Sequence, residues 1–369
     1  RQEFVEILSV SSSAQDLSGW RITGGISYTF PAGTSLPPGG MLVVAQDPTV
    51  FAAKFAGVMA LGPYSGRLST SGDSVILRDE QGRRRDEVEY GRGFPWPTGG
   101  GDTGYSIELI HPSLDGRQGG SWRLSAPTTD VPPKVGPTPG ARNATYDDNP
   151  PPVITSVQHQ PTTPHSSDPV VISAALSDPD GIKEVKLEYQ IVDPGAYVRL
   201  SDAAYATGWV SVAMHDDGQG GDAKANDGTY SVTLDGSLAK HRRLMRYRIT
   251  ATDGQAQTLR VPYADDPQPN FAYFVYDAVP AWRGASQPGT TPAQDFGLDV
   301  LYRLPIYHLI AQEIDVINSQ YVSGYESQHF WGTVVEGNTV YDHIEFENRG
   351  EYSVYVSGKN KWRIHFQRG

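Results

Sequence analysis

Three features are scarce or absent in this chain of 369 residues, and each absence excludes a class of protein. There is no cysteine, which excludes a disulfide framework, a thiolate zinc site, an iron–sulfur cluster and a cysteine nucleophile. Thirty Lys and Arg stand against 42 Asp and Glu, so the net charge of −12 argues against a nucleic-acid partner. No apolar run approaches about 18 residues, so no segment is predicted to span a membrane.

The two ends of the chain also lack familiar features. There is no initiator methionine and no signal peptide, since Arg1 leads directly into the strand-like residues 3–8. The other end, residues 362–366, is an alternating strand pattern that stops at Gly369. We expect a mature or trimmed chain, or a fragment whose C-terminus falls inside a domain.

Turn-forming residues are abundant. The chain has 40 Gly, 28 Pro, 20 Tyr and 7 Trp, and its mean hydropathy is −0.42, which indicates a soluble, mainly β protein. Prolines cluster at 126–152 and, less densely, at 278–292, where they favour extended spacers. We predict three domains joined by two linkers, with these bounds: domain 1–143, linker 144–152, domain 153–277, linker 278–292, domain 293–369.

The first segment alternates short strands with turns, which predicts an antiparallel sandwich of about a hundred residues. Its one predicted helix lies around Pro48–Phe55, and Trp20 is predicted to anchor the core. Six motifs together resemble the lamin-tail domain family, which implies an immunoglobulin-like β-sandwich. Family members in bacteria are extracellular modules with undefined partners and no catalytic residues. The motifs are Val5–Ile7, Asp16–Trp20, Phe30–Thr34, Leu36–Gly40, Gly72–Asp79 and Gly136–Gly140.

The middle segment has the same pattern of strands and turns. Asp178–Ile182 forms a predicted turn, and Tyr247–Asp253 closes a long strand. These two motifs resemble bacterial immunoglobulin-like or fibronectin type III-like surface modules, which implies a second β-sandwich.

The third segment contains a predicted hairpin, Gly332–Val335 with Thr339–Phe346, and a last strand at Lys361–Phe366. Ile310, Ile314 and Ile317 recur at helical spacing and predict a helix.

The residues 344–350 and 358–366 resemble the opening of the CotH family of spore-coat-type secreted kinases. The resemblance implies transfer of phosphate from ATP with Mg²⁺ or Mn²⁺. It also implies that Lys359, or else Lys361, meets the ATP phosphates with Arg349 nearby. Phosphoryl transfer further needs an aspartate base and metal-binding carboxylates, which are expected beyond Gly369. We therefore expect a truncated α+β subdomain in this chain and no catalysis by the chain alone.

A second candidate site is an acidic loop at 216–228. Four carboxylates, one asparagine and four glycines provide the oxygens and backbone freedom that a hard cation needs. The spacing differs from that of an EF-hand, and a polar turn in which Asp side chains cap their own backbone is the alternative. The candidate calcium ligands are Asp216, Asp217, Asp222, Asn226 and Asp227.

Three functions remain open on the sequence. The first is a secreted or cell-surface protein with two immunoglobulin-like sandwiches in tandem that bind or position a CotH-like kinase domain near an extracellular protein or surface ligand. The second is a structural or adhesive protein with a catalytically dead CotH-like part. The third is carbohydrate binding, in which Trp96, Trp122 and Tyr64, if exposed, stack on sugar rings.

Overall fold

Antiparallel strands dominate the computed structural model of the protein, and the mainly β prediction is confirmed. The structure describes residues 3–98, 104–125, 136–263, 266–285, 290–303, 305–321, 328–349 and 362–366. The chain divides into two compact units, residues 1–155 and 156–368. The three-domain boundaries expected from the prolines stay a prediction.

The first unit contains two main sheets. One has the order β1-β6-β7, in which β7 runs parallel to β6, and the other has the order β10-β9-β3-β4-β8. Two short ladders, β2 with β5 and β11 with β12, complete it. The elements are β1 (Phe4–Leu8), β2 (Gln15–Asp16), β3 (Arg21–Gly24), β4 (Ile26–Thr29), β5 (Ser35–Leu36), β6 (Met41–Ala45), α1 (Pro48–Lys54), β7 (Ala60–Leu61), β8 (Ser65–Gly66), β9 (Asp73–Arg78), β10 (Arg84–Tyr90), β11 (Ile107–Leu109) and β12 (Trp122–Leu124).

The core of this unit draws on both main sheets. Ile22 and Ile26 from one sheet and Val44 from the other are buried in one apolar cluster with Phe30. Alternate strand residues point to opposite faces of a sheet, which brings the inward set of each sheet into this cluster. Trp20 packs against the cluster while staying half-buried, in agreement with its predicted anchoring role.

Helix α1 confirms the predicted helix, with its last residue at Lys54. Pro48 occupies the first turn, where a missing N–H costs nothing, and the Asp47 carboxylate accepts hydrogen bonds from the Thr49 and Val50 N–H groups. Phe51 is buried and lies edge-on to Phe4, with ring centroids 5.4 Å apart.

The second unit contains three main sheets. They have the orders β13-β14-β17, β16-β15-β18-β19 with β20 also paired to β18, and β23-β24-β25-β26. Hairpin β21–β22 includes part of the predicted linker 278–292. The elements are β13 (Val153–Gln160, which begins in the first unit), β14 (Val170–Ser177), β15 (Ile182–Val192), α2 (Ala203–Thr207), β16 (Val210–Met214), β17 (Thr229–Leu234), β18 (Leu244–Asp253), β19 (Thr258–Val261), β20 (Phe271–Phe274), β21 (Trp282–Gly284), β22 (Gln294–Phe296), α3 (Leu298–Leu301), β23 (Tyr307–Ala311), α4 (Glu313–Tyr321), β24 (Phe330–Glu336), β25 (Thr339–Asn348) and β26 (Trp362–His365).

The sheet of β23–β26 contains the predicted hairpin. Strands β24 and β25 are joined through Gly337, whose φ of +59° suits a tight turn that a side chain would strain. One face of the sheet is apolar, and Phe330, Val334, Ile344 and Phe346 are buried there.

The helix predicted on Ile310, Ile314 and Ile317 is partly wrong. Ile310 belongs to strand β23, where it is buried, and α4 begins only at Glu313. Ile314 and Ile317 are 56% and 41% exposed, so they do not form a buried stripe with Ile310. The three isoleucines lie on both sides of a boundary between a strand and a helix, and the spacing of apolar residues does not reveal such a boundary. Among the described residues, no helix combines the length and hydropathy that a membrane crossing needs.

Candidate functional site

The acidic loop connects β16 to β17, and its backbone turns sharply several times. Gly218, Gly220, Gly221 and Gly228 all have positive φ, as does Asn226 at +58°. Glycine adopts this conformation without steric cost, and asparagine is the side chain that tolerates it best. The glycine-rich composition of the loop therefore has a direct conformational reason.

Two carboxylates organise the loop from inside. The Asp216 oxygens accept hydrogen bonds from the Asp227 N–H at 3.2 Å and the Gly228 N–H at 2.9 Å. Asp222, which is only 7% exposed, accepts from the N–H groups of Gly218 at 2.6 Å and Lys224 at 3.2 Å. These bonds satisfy backbone donors across the loop, which is the behaviour that the alternative, polar-turn interpretation predicts.

Three of the five predicted calcium ligands come together. One oxygen from each of Asp216, Asp222 and Asp227 lies within 4.8 Å of the others. Asp217, the fourth predicted aspartate, lies outside this set and accepts from the Gln219 N–H at 2.9 Å, and Asn226 is exposed. A carboxylate oxygen with one hydrogen bond keeps a second lone pair, so the three oxygens are chemically able to share a hard cation.

The residues proposed for ATP phosphates are only partly described. Arg349 directly follows β25 and is exposed. Asn348 at the end of β25 pairs with Trp362 at the start of β26, so Arg349 lies at the end of the sheet where β26 begins. Lys359 and Lys361 lie outside the described residues.

The aromatic residues considered for sugar binding are not exposed platforms. Tyr64 and Trp96 are 5% and 8% exposed, so the condition for stacking on sugar rings is not met at either residue. Tyr64 donates a hydrogen bond to Glu3, and Trp96 packs against the half-buried Trp122 with centroids 6.1 Å apart. Large rings bury so much apolar area that core packing accounts for them.

A buried polar cluster joins β18 to β25, and none of the sequence motifs predicts it. Arg246 on β18 and Asp342 on β25 form a bidentate ion pair, with Nε–Oδ2 at 2.7 Å and Nη2–Oδ1 at 3.0 Å. Their side chains are 0% and 2% exposed. Asp342 also accepts from Tyr197, Thr333 and Asn270 at 2.5–3.1 Å.

His343 lies beside this pair and is neutral. Its φ is +56°, it is 1% exposed, and its Nε2 donates to the side-chain oxygen Oδ1 of Asn270 at 2.8 Å. Burial lowers the pKa of His343 to about 4. Burial alone would raise the pKa of Asp342, but the adjacent Arg246 guanidinium holds it well below its usual range. The ionised pair and the neutral imidazole are therefore the stable forms at neutral pH.

A signal for this cluster is present in the sequence. Arg246 interrupts the apolar run Leu244–Tyr247. Asp342 and His343 lie between Tyr341 and Ile344 in a strand whose residues are mostly buried. A lone charge inside a buried strand requires a partner, although the sequence does not say which one.

Comparison with known proteins gives a family match for part of the first unit. The profile of the Lamin Tail Domain family matches residues 1–92. The resemblance of this part to the lamin-tail domain is confirmed, and with it an immunoglobulin-like fold. The match ends before the middle and C-terminal segments. No curated protein similar to the chain was found.

Proposed function

We propose that this chain is part of a secreted, modular surface protein whose β-sheet modules position a CotH-like atypical kinase domain that uses ATP with Mg²⁺ or Mn²⁺. The lamin-tail module and the immunoglobulin-like sheets of residues 156–277 would bind or orient toward an extracellular protein or surface ligand. Arg349, Lys359 and Lys361 of the C-terminal segment would contribute the cations that meet the phosphates. The chain by itself would not catalyse transfer, because the aspartate base and metal-binding carboxylates are not assigned to it.

The observation that supports this proposal most is the bond between β25 and the neighbouring sheet. The Arg246–Asp342 ion pair joins β18 to β25, the strand that Arg349 directly follows. A phosphate-binding cation has to be held within fractions of an ångström of its productive position, so it benefits from a rigid support.

Apolar contacts reinforce the same connection. Tyr197, Leu244 and Phe274 from the middle part of the chain are buried in one cluster with Ile310 of β23 and Val335 of β24. The sheet of β23–β26 therefore shares an apolar core with the middle part of the chain. This supports the proposal that residues 156–277 hold the C-terminal sheet in position.

The test of the nucleotide site is calorimetry with ATP and Mg²⁺ or Mn²⁺ on the full-length protein that contains these residues. Lys359→Ala should weaken binding at least about tenfold, because a charge-assisted bond to phosphate contributes about 1.5–3 kcal/mol. Lys361→Ala and Arg349→Ala test the other two candidate cations. Lys183→Ala, which removes an exposed lysine on β15, is the matched control and should leave affinity unchanged.

Either outcome of this titration is informative. Binding that depends on Lys359, Lys361 or Arg349 supports the kinase proposal. If the folded full-length protein does not bind ATP, the nucleotide role fails, and a structural or adhesive surface protein becomes the better proposal.

We also propose that the acidic loop binds Ca²⁺, because Asp216, Asp222 and Asp227 hold three carboxylate oxygens together. At a Ca²⁺ concentration about 100 times the Kd, binding should add about 2–3 kcal/mol to the free energy of unfolding. Thermal unfolding with Ca²⁺ or with EDTA measures this gain.

Two exposed aspartates make a matched pair for the calcium experiment. Asp227 lies in the oxygen cluster and Asp217 does not, yet each accepts a hydrogen bond of 2.9 Å from the backbone N–H two residues later. Asparagine can accept the same bond. Asp227→Asn should reduce the response to Ca²⁺ and Asp217→Asn should preserve it. If Ca²⁺ stabilises both variants equally, Asp227 is not a calcium ligand, and the polar-turn interpretation of the loop is the one that remains.

A further inference from the structure

Two histidines and a glutamate meet on the polar face of the C-terminal sheet. His329 directly precedes β24, Glu347 lies near the end of β25, and His365 is the last residue of β26. Phe330, Phe346 and Ile364, the strand neighbours of these residues, pack in the apolar cluster on the other face. The two-residue period of a strand therefore directs His329, Glu347 and His365 to one side.

The three side chains are close enough to share one ion. Glu347 Oε2 lies 3.5 Å from His329 Nε2, and Glu347 Oε1 lies 3.1 Å from His365 Nε2. The two imidazole rings are stacked, with centroids 5.2 Å apart. A tetrahedral zinc ion with bonds of about 2.0–2.1 Å separates its ligand atoms by about 3.3 Å. The observed separations lie on either side of that value.

A fourth residue orients the first histidine. The Nδ1–H of His329 donates to Glu345 Oε2 at 2.7 Å, which leaves Nε2 to face Glu347. Metal-bound histidines commonly donate their second nitrogen to a carboxylate in this way. Because a lone pair on Nε2 would repel the Glu347 oxygen, either a proton or a metal cation has to lie between the two atoms.

The surroundings already favour positive charge at this position. Two carboxylates face His329, with Glu345 Oε2 2.7 Å from its Nδ1 and Glu347 Oε2 3.5 Å from its Nε2, and Glu347 also faces His365. A divalent metal would supply that charge without a proton. Arg363 is the competing cation, since its Nη1 donates to Glu347 Oε1 at 2.8 Å, but its side chain is 50% exposed and free to turn toward solvent.

We propose that His329, Glu347 and His365 form a binding site for a divalent transition metal such as Zn²⁺, with Glu345 as the positioning residue for His329. Two imidazole nitrogens and one carboxylate suit such an ion better than Ca²⁺ or Mg²⁺, which prefer oxygen. The ion would connect β24, β25 and β26, and it would leave a coordination position for water or a ligand. The site shares no residue with the proposed nucleotide and calcium sites and does not depend on either.

Calorimetric titration of the metal-free chain with Zn²⁺ tests the proposal, with Ca²⁺ in excess to fill sites made only of carboxylates. We expect one tight site. Glu345→Gln should weaken it about 10–100-fold, as loss of an orienting partner does, and His329→Asn or His365→Asn should weaken it further. Arg363→Gln should tighten binding, because the competing charge is removed. Co²⁺ offers a second measurement, since its visible absorption reports nitrogen ligands directly.

A surface histidine with a similar neighbour is the control. His165 lies 3.5 Å from Asp168 and is 60% exposed, yet it belongs to no three-residue metal cluster among the described residues. His165→Asn should leave the tight site intact. His329 and Glu345 are both partly exposed, so their variants should keep the far-ultraviolet circular dichroism of the parent. The proposal is overturned if no tight site exists, or if it survives the combined loss of His329 and His365.

Discussion

Arg246→Leu should lower the free energy of unfolding of the second unit by about 3–5 kcal/mol, because it leaves the Asp342 carboxylate buried without its ionic partner. Four neutral donors remain around Asp342, from Tyr197, Asn270, Thr333 and the His343 backbone N–H, but none of them supplies a charge. Urea denaturation of the whole chain measures the change. The transition of the first unit, which should not move, serves as an internal reference.

Arg248 is the matched control for this substitution. It lies two residues further along β18 and pairs with Glu188 in the same bidentate manner, at 2.9 and 3.0 Å. Its side chain is 13% exposed and that of Glu188 is 24% exposed, so water replaces part of the lost interaction. Arg248→Leu should cost about 1 kcal/mol. Equal losses in Arg246→Leu and Arg248→Leu would contradict a special role for the buried pair.

A double variant separates lost attraction from the penalty of an unpaired charge. Arg246→Leu combined with Asp342→Leu removes both charges and should recover part of the stability that the single variant loses. The recovery should be incomplete because Tyr197, Thr333 and Asn270 lose their acceptor. No recovery would mean that the ion pair itself, with its geometry, provides the stabilisation.

Acidification should destabilise the second unit through His343. The pKa of His343 is about 4 in the folded chain, against an ordinary value of 6.5. Between pH 6.5 and pH 4 the unfolded chain therefore binds a proton at this residue and the folded chain does not. The stability is therefore complete above pH 6.5 and falls as the pH approaches 4. Integration over this window gives a loss of about 3 kcal/mol. Urea denaturation at intervals between pH 7 and pH 4 measures it.

His343→Asn is the control for the pH experiment. Asparagine accepts a positive φ more readily than most residues and can hydrogen-bond to Asn270, but it does not titrate. The variant should be less stable at neutral pH and show a flatter pH dependence. Burial also lowers the pKa values of His159 and His308, so a residual slope should remain in both proteins. Parallel curves would show that His343 does not titrate with folding.

Much of the secondary structure followed from local chemistry. Proline at the start of a helix, an aspartate before it and a glycine at a hairpin turn act through their own backbone, so α1 and the β24–β25 hairpin were predictable. Five of the six lamin-tail motifs also lie within 1–92, where the family profile matches, and Gly136–Gly140 lies beyond the match. Features of this kind need no knowledge of distant residues.

Other predictions failed because they depended on distant contacts. Spacing alone could not say that Ile310 belongs to a strand, or that Ile314 faces solvent. Exposure of Tyr64 and Trp96 was equally undecidable, since a large ring suits a surface platform and a core. In the acidic loop, residue type predicted the oxygens, but only the turns of the backbone separated Asp227 from Asp217.

By itself the sequence determined the absence of thiol chemistry, the β-rich class, the lamin-tail module and the composition of the acidic loop, because composition and short-range pattern carry that information. The tertiary structure alone decided which charges meet. Arg246 and Asp342 are 96 residues apart, and His329 and His365 are brought together by strand register. Pairing across strands depends on where the chain returns in space, and no local propensity encodes that position.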